Sequence, residues 1–170
     1  MNTSVLRLRI VGVAGFSVCA VAGIINWPGA AWATPPLQFD SVTLSRSFFE
    51  EIEVRTHVDA HKVDISTKGP SDVHVLRNVI APGGHTGWHS HPGPSIVSVI
   101  SGAATLYDGD DPSCLPARYA PGSGFVDKGG GHVHILRNEG SEDLVVTVFS
   151  IVPFDAPRRI DAPSPGNCPF

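Results

Sequence analysis

The sequence predicts an all-β domain, a sandwich or barrel of short strands, and three observations carry that prediction. Eighteen glycines and fifteen prolines in 170 residues break the chain too often for long helices. Apolar and polar residues alternate with a period of two in several runs, the pattern of a half-buried strand. About eight to ten such runs recur at eight-to-twelve-residue spacing, with turn residues between them. A hydrophobic content of 42% and a charged content of 16% describe a globular chain, and 170 residues suffice for one domain with its own core.

Residues 1–33 are set apart from that fold. Arg7 and Arg9 open the chain, Ile10–Ile25 is apolar, and Ala31-Trp32-Ala33 fits a small-residue cleavage pattern before Thr34-Pro35-Pro36. This is the layout of a secretory signal peptide, with a retained membrane anchor as the alternative. The expected product is secreted or extracytoplasmic, in the periplasm or cell envelope, with no membrane contact after cleavage. Cleavage takes two arginines and no acid, so the net charge moves from −4 to −6. An acidic surface excludes nucleic acid as a partner, because phosphate binding needs clustered Lys and Arg. The one basic doublet, Arg158-Arg159, reads as part of a solvated tail. Cleavage also removes Cys19 and leaves Cys114 and Cys168, an even pair that reads as a disulfide in an exported protein.

The single domain is expected over residues 34–153, followed by a Pro-rich tail over 154–170. Val42-Thr43-Leu44 is a first short strand. Phe48–Val54 leaves helix or strand open. Val63–Ser66 alternates as a strand. Asp72–Ala81 is another, ended by Pro82-Gly83-Gly84. Ile96–Ile100 and Ala103–Tyr107, linked by Ser101-Gly102, predict a tight hairpin. Asp108, Asp110 and Asp111 form a solvated turn that lacks calcium-loop spacing. Leu115–Gly124 loops across the surface. Phe125-Val126, His132–Asn138 and Leu144–Val152 are the remaining strands.

The chemistry concentrates in Gly83–Ser95, where His89 and His91 stand two apart. On an extended segment such residues share a face and can aim two imidazoles at one point. Imidazole is the commonest metal ligand near neutral pH. A second pair, His132 and His134, follows Gly129-Gly130-Gly131. His132 is a candidate fourth ligand or acid–base group. His85 is a candidate outer proton carrier or gate.

These residues resemble the cupin superfamily. The first cupin motif, G-x5-H-x-H-x3/4-E-x6-G, is met by Gly83, His89, His91 and Gly102, with Ser95 where glutamate is expected. The second, G-x5-P-x-G-x2-H-x3-N, is met by Gly131, His134 and Asn138. Gly129 replaces its proline, and Ser123 its first glycine. The resemblance spans roughly Val73–Val152. It implies a double-stranded β-helix, the jelly-roll barrel, with His89, His91 and His134 holding a divalent transition metal. The ion could be Fe, Zn, Cu, Mn or Ni, since imidazole suits several of them. Without the glutamate the ion's charge is left unneutralised, which favours anionic ligands. Three-His sites of this kind resemble the thiol dioxygenase branch of the family. The function this implies is a metal-dependent oxygenase acting on a small anionic molecule, with a non-catalytic module for a metal or small ligand as the alternative. In the oxygenase reading His132 and His85 are the candidate catalytic groups. Related barrels pair, so a homodimer is also implied.

Overall fold

The computed structural model describes residues 32–170, so the expected signal segment lies almost wholly outside the described residues. Twelve strands follow in order: β1 Leu37–Phe49, β2 Glu53–Val58, β3 His61–Ser66, β4 Ser71–His85, β5 His89–Ser90, β6 Ser95–Ser101, β7 Ala104–Asp108, β8 Ala117–Tyr119, β9 Gly124–Asp127, β10 His134–Asn138, β11 Leu144–Pro153 and β12 Ile160–Asp161. Apart from the β2–β3 hairpin they form one antiparallel sheet, in the order β12-β5-β10-β4-β11-β6-β9. β1 pairs β4 at one side, and β7 joins β10 to β8. The sheet curls into a nearly closed jelly-roll barrel, as the motifs implied.

Side-chain alternation explains why these segments fold inward as they do. Along β6, Ser95, Val97 and Val99 are buried while Ile96, Ser98 and Ile100 are exposed. On β11 the buried residues Leu144, Val146, Val148 and Ser150 share one face. With Leu76 and Ile80 of β4 and Leu136 of β10, the valines and Leu144 close the barrel's core. The fully buried Ser95 and Ser150 lie beyond that apolar layer, and their hydroxyls bond each other at 2.7 Å.

The expected hairpin of Ile96–Ile100 with Ala103–Tyr107 does not form. β6 pairs β9 and β11, whereas β7 pairs β10 and β8. Ser101-Gly102 is a corner between the two halves of the barrel. Gly102 has a φ of 70°, and a Cβ there would meet the Leu144 backbone at 2.8 Å, so the corner is packed against β11 and cannot fold back on β6. Pro82-Gly83-Gly84 does not end its strand either, since β4 continues to His85. The open question at Phe48–Val54 resolves as the end of β1 and the start of β2.

The C-terminal segment is ordered against the barrel. β12 pairs β5. Cys114 and Cys168 form the expected disulfide. Ala162 and Cys168 cover Trp88, Tyr107 and Ile135 on the outer face of the β5–β10–β7 layer. Phe170 stacks on Trp88 and meets Tyr107 edge-on, with the Arg137 guanidinium 4.0 Å from its ring centre.

Candidate metal centre

Three imidazoles converge in the mouth of the barrel. His89 on β5 and His134 on β10 are directly opposed cross-strand residues. His91 follows β5 by one residue. The ring centres stand 4.4 Å apart for His89–His134, 4.8 Å for His89–His91 and 5.5 Å for His91–His134. One ligating atom from each lies within 4.8 Å of the other two.

Glycines make the approach of the two histidine loops sterically feasible. A Cβ on Gly129, whose φ is 68°, would sit 2.3 Å from the Gly93 backbone. The adjoining Gly131 N–H donates to the His91 carbonyl at 3.1 Å. The glycine that replaces the motif proline therefore seats the second loop against the first.

The rings are held through their other nitrogens. His89 Nδ1 bonds the Gly87 carbonyl at 2.9 Å, and His91 Nδ1 bonds the Arg158 carbonyl at 2.6 Å. A ring that donates from Nδ1 presents an unprotonated Nε2, the form that binds metal. His134 Nδ1 has no hydrogen-bond partner and lies 3.7 Å from Asp127 Oδ1. Burial holds all three rings neutral near pH 7. It pushes His89 well below its ordinary pKa, with His134 adding to the effect, and lowers His91 against the pull of the Arg158 carbonyl and Asp127. His134 is pushed down to about 4, again by burial first, although Asp127 opposes the shift.

Asp127 is the residue that the sequence reading missed. It ends β9, is only 5% exposed, and is the direct cross-strand partner of Ser95. The carboxylate absent from β6 at Ser95 is thus replaced by one on the neighbouring strand, projecting from the same face. Its Oδ1 accepts from the Gly129 N–H at 3.2 Å and faces His132 Nδ1 at 3.4 Å, while Oδ2 is buried without a partner. An aspartate at a strand end, opposite a motif position that lacks its acid, is the one signal that could have found it. Ser95 brings no negative charge in its place, and its hydroxyl bonds Ser150.

The cavity enclosed by these groups measures about 40 Å³, and its walls include Asp127, Ser95, Thr86, Arg158 and Arg159. The two arginines that read as a solvated tail are carried to this wall by the ordered C-terminal segment. His132 and His85 are not part of it. His132 lies before β10, with Nε2 2.8 Å from Asp108 Oδ1 beside Asp110, and one of its ring nitrogens also lies within 4.8 Å of ligating atoms of Asp127 and His134. His85 Nδ1 accepts the Gly87 N–H at 3.0 Å and so fixes the turn that leads into β5. A larger apolar groove of about 720 Å³, bounded by Ile65, Pro92, Ile96, Val126 and Phe149, lies on the outer face of the barrel and holds none of the histidines.

The family model of the Cupin domain matches residues 77–151, a span that holds both histidine loops. These residues form a cupin domain. Among solved structures, this cupin is similar to a conserved protein of unknown function from Streptococcus pyogenes, at 21% identity over 68% of this chain and 75% of that one, with a TM-score of 0.44. It is similar to a cupin superfamily protein from Desulfitobacterium hafniense at 13% identity, over 68% and 78% of the two chains, with a TM-score of 0.45. A DMSP lyase from Ruegeria pomeroyi is similar at 18% identity, over 52% and 42%, with a TM-score of 0.45. No curated protein matches the chain.

The cupin's residues fit a divalent transition metal on their own chemistry. Three buried neutral imidazoles share one cavity, two of them oriented by backbone carbonyls, and a buried carboxylate oxygen there lacks a partner.

Proposed function

We propose that His89, His91 and His134 bind one divalent transition metal and that this exported cupin uses it to act on a small anionic molecule. The observation that carries the proposal is the convergence of three buried rings whose ligating atoms lie within 4.8 Å of each other. The ion would supply Lewis acidity and, if it is redox-active, a centre for oxygen chemistry. Zn, Cu, Fe, Mn and Ni remain the candidates on ligand type.

The chain's own residues have separable roles in this reading. The Gly87 and Arg158 carbonyls fix the tautomers of His89 and His91. Asp127, 3.7 Å from His134 Nδ1, supplies beside the rings the negative charge that Ser95 cannot. The narrow cavity keeps bulk water away from the site. The leading reaction is oxygenation of the small anion, with Asp127 Oδ2 as the cavity-lining group able to accept a proton. A second reading, a non-catalytic module that holds a metal or small ligand, is supported by the placement of His132 and His85 away from the cavity wall. Export is supported by the Cys114–Cys168 disulfide, a bond that persists in oxidising compartments.

Metal analysis of the purified protein, with oxygen uptake measured against small carboxylic acids and thiols, tests these readings together. One bound ion with oxygen consumption supports the oxygenase, and one ion without turnover supports the module. No ion in wild type after incubation with each candidate metal refutes both.

A further inference from the structure

The C-terminal segment brings two adjacent arginines to the cavity wall in different states. Arg159 is committed. Its Nε donates to Asp161 Oδ1 at 2.6 Å, and its terminal nitrogen donates to the Thr86 carbonyl at 2.6 Å. Arg158 is not. Among the described residues no carboxylate lies within ion-pair distance of its guanidinium. The influences on it are burial and the like charge of Arg159, and both lower its pKa from the ordinary arginine value. Its main chain is pinned to the metal-centre residues, because its carbonyl holds His91 Nδ1. A half-buried guanidinium without a counter-charge, one residue's reach from three converging imidazoles, is an incomplete ion pair.

We propose that Arg158 determines ligand specificity in this cavity, its guanidinium receiving the carboxylate of a small anionic ligand whose other end faces His89, His91 and His134. The second half of this statement rests on the metal-centre reading, whereas the first rests on Arg158 alone. A planar guanidinium matches a carboxylate with two parallel hydrogen bonds, which a lysine cannot reproduce. Asp127 in the same wall forms no ion pair with Arg158: its Oδ1 is turned to Gly129 and the two histidines, and its Oδ2 has no hydrogen-bond partner. The volume sets the size of the ligand. One water needs roughly 10–15 Å³ of such space, so about 40 Å³ admits only three or four non-hydrogen atoms. Acetate has that size. Acetamide is its neutral isostere.

The test compares acetate with acetamide by calorimetric titration of the cobalt(II)-loaded protein and of the metal-free protein. Wild type, Arg158→Gln and Arg158→Lys are compared, with matching thermal melts as the folding control. Wild type is expected to prefer acetate by about tenfold or more, the size of a charge-assisted pair. Arg158→Gln abolishes the preference and Arg158→Lys retains part of it. Cobalt affinity of each variant is measured first, and both ligands are titrated into fully loaded protein, so that acetate and acetamide are compared on the same ion. An unchanged acetate preference in cobalt-loaded Arg158→Gln overturns the proposal and leaves the metal centre standing. If wild type binds no cobalt, the metal centre fails by itself and the metal-free titrations decide. A preference lost in Arg158→Gln then supports the role of Arg158, and one that persists, or is absent from wild type, overturns it.

Discussion

His134 and His132 are two residues apart with ring centres 5.9 Å apart and share Asp127, yet their other neighbours differ. His134 is buried with two other imidazoles, and its shift to about 4 keeps it neutral. His132 faces three carboxylates, with Asp108 at 2.8 Å, Asp127 at 3.4 Å and Asp110 at 4.0 Å from its ring nitrogens. Asp127 touches both regions. The contrast shows that the work of a histidine is set by what surrounds it. Buried imidazoles, two of them fixed by backbone carbonyls, offer lone pairs to a metal, while the ring of His132 is turned to carboxylates.

The sharpest way to break this contrast is to remove one ring from each region. His134→Ala is expected to cost far more metal affinity than the roughly 10–100-fold that loss of an outer partner costs, as read by competitive titration with a chelating dye. Equal losses in His134→Ala and His132→Ala would erase the distinction.

Acid acts next, through the same burial. The unfolded chain takes up protons below about pH 6.5, whereas folded His134 resists down to about 4. The unfolded state therefore holds more protons across that window, and stability falls as the pH drops through it and is unaffected above it. At about 1.4 kcal/mol per pH unit, His134 alone costs about 3 kcal/mol by pH 4, with His89 and His91 acting in the same direction. Urea unfolding of the metal-free protein at pH 7 and pH 4 measures this, and a flat profile would show that the rings are not held neutral.

Asp127→Asn sharpens the boundary between the regions. It keeps the shape and removes the charge facing His134, so metal affinity should fall about 10–100-fold with the melting temperature little changed. The smallest effect belongs to His132→Ala, which should leave metal affinity within about twofold of wild type, because its ring lies outside the cavity wall.

Much of this molecule was legible in its sequence. The strict alternation of Ser95–Ile100 and the β-branched run of Leu144–Val152 announce strands, and the spacing of His89, His91 and His134 brings three distant rings to one place. What was not legible depended on pairing. Ser101-Gly102 has the look of a hairpin link, but the packing of Gly102 on Leu144 turns it into a corner, and no local pattern reports that contact. Asp127 matters because register sets it opposite Ser95, and register is a property of two strands at once. Arg158 and Arg159 lie in a stretch without periodicity, and only the β12–β5 pairing and the disulfide bring them to the cavity.

The most direct test of the central claim is anomalous diffraction from crystals of the protein soaked in cobalt(II) or zinc, collected on either side of the metal's absorption edge. The account predicts a single strong peak bounded by the rings of His89, His91 and His134. A peak only among Asp108, Asp110 and His132, or no peak at the three rings, would contradict it.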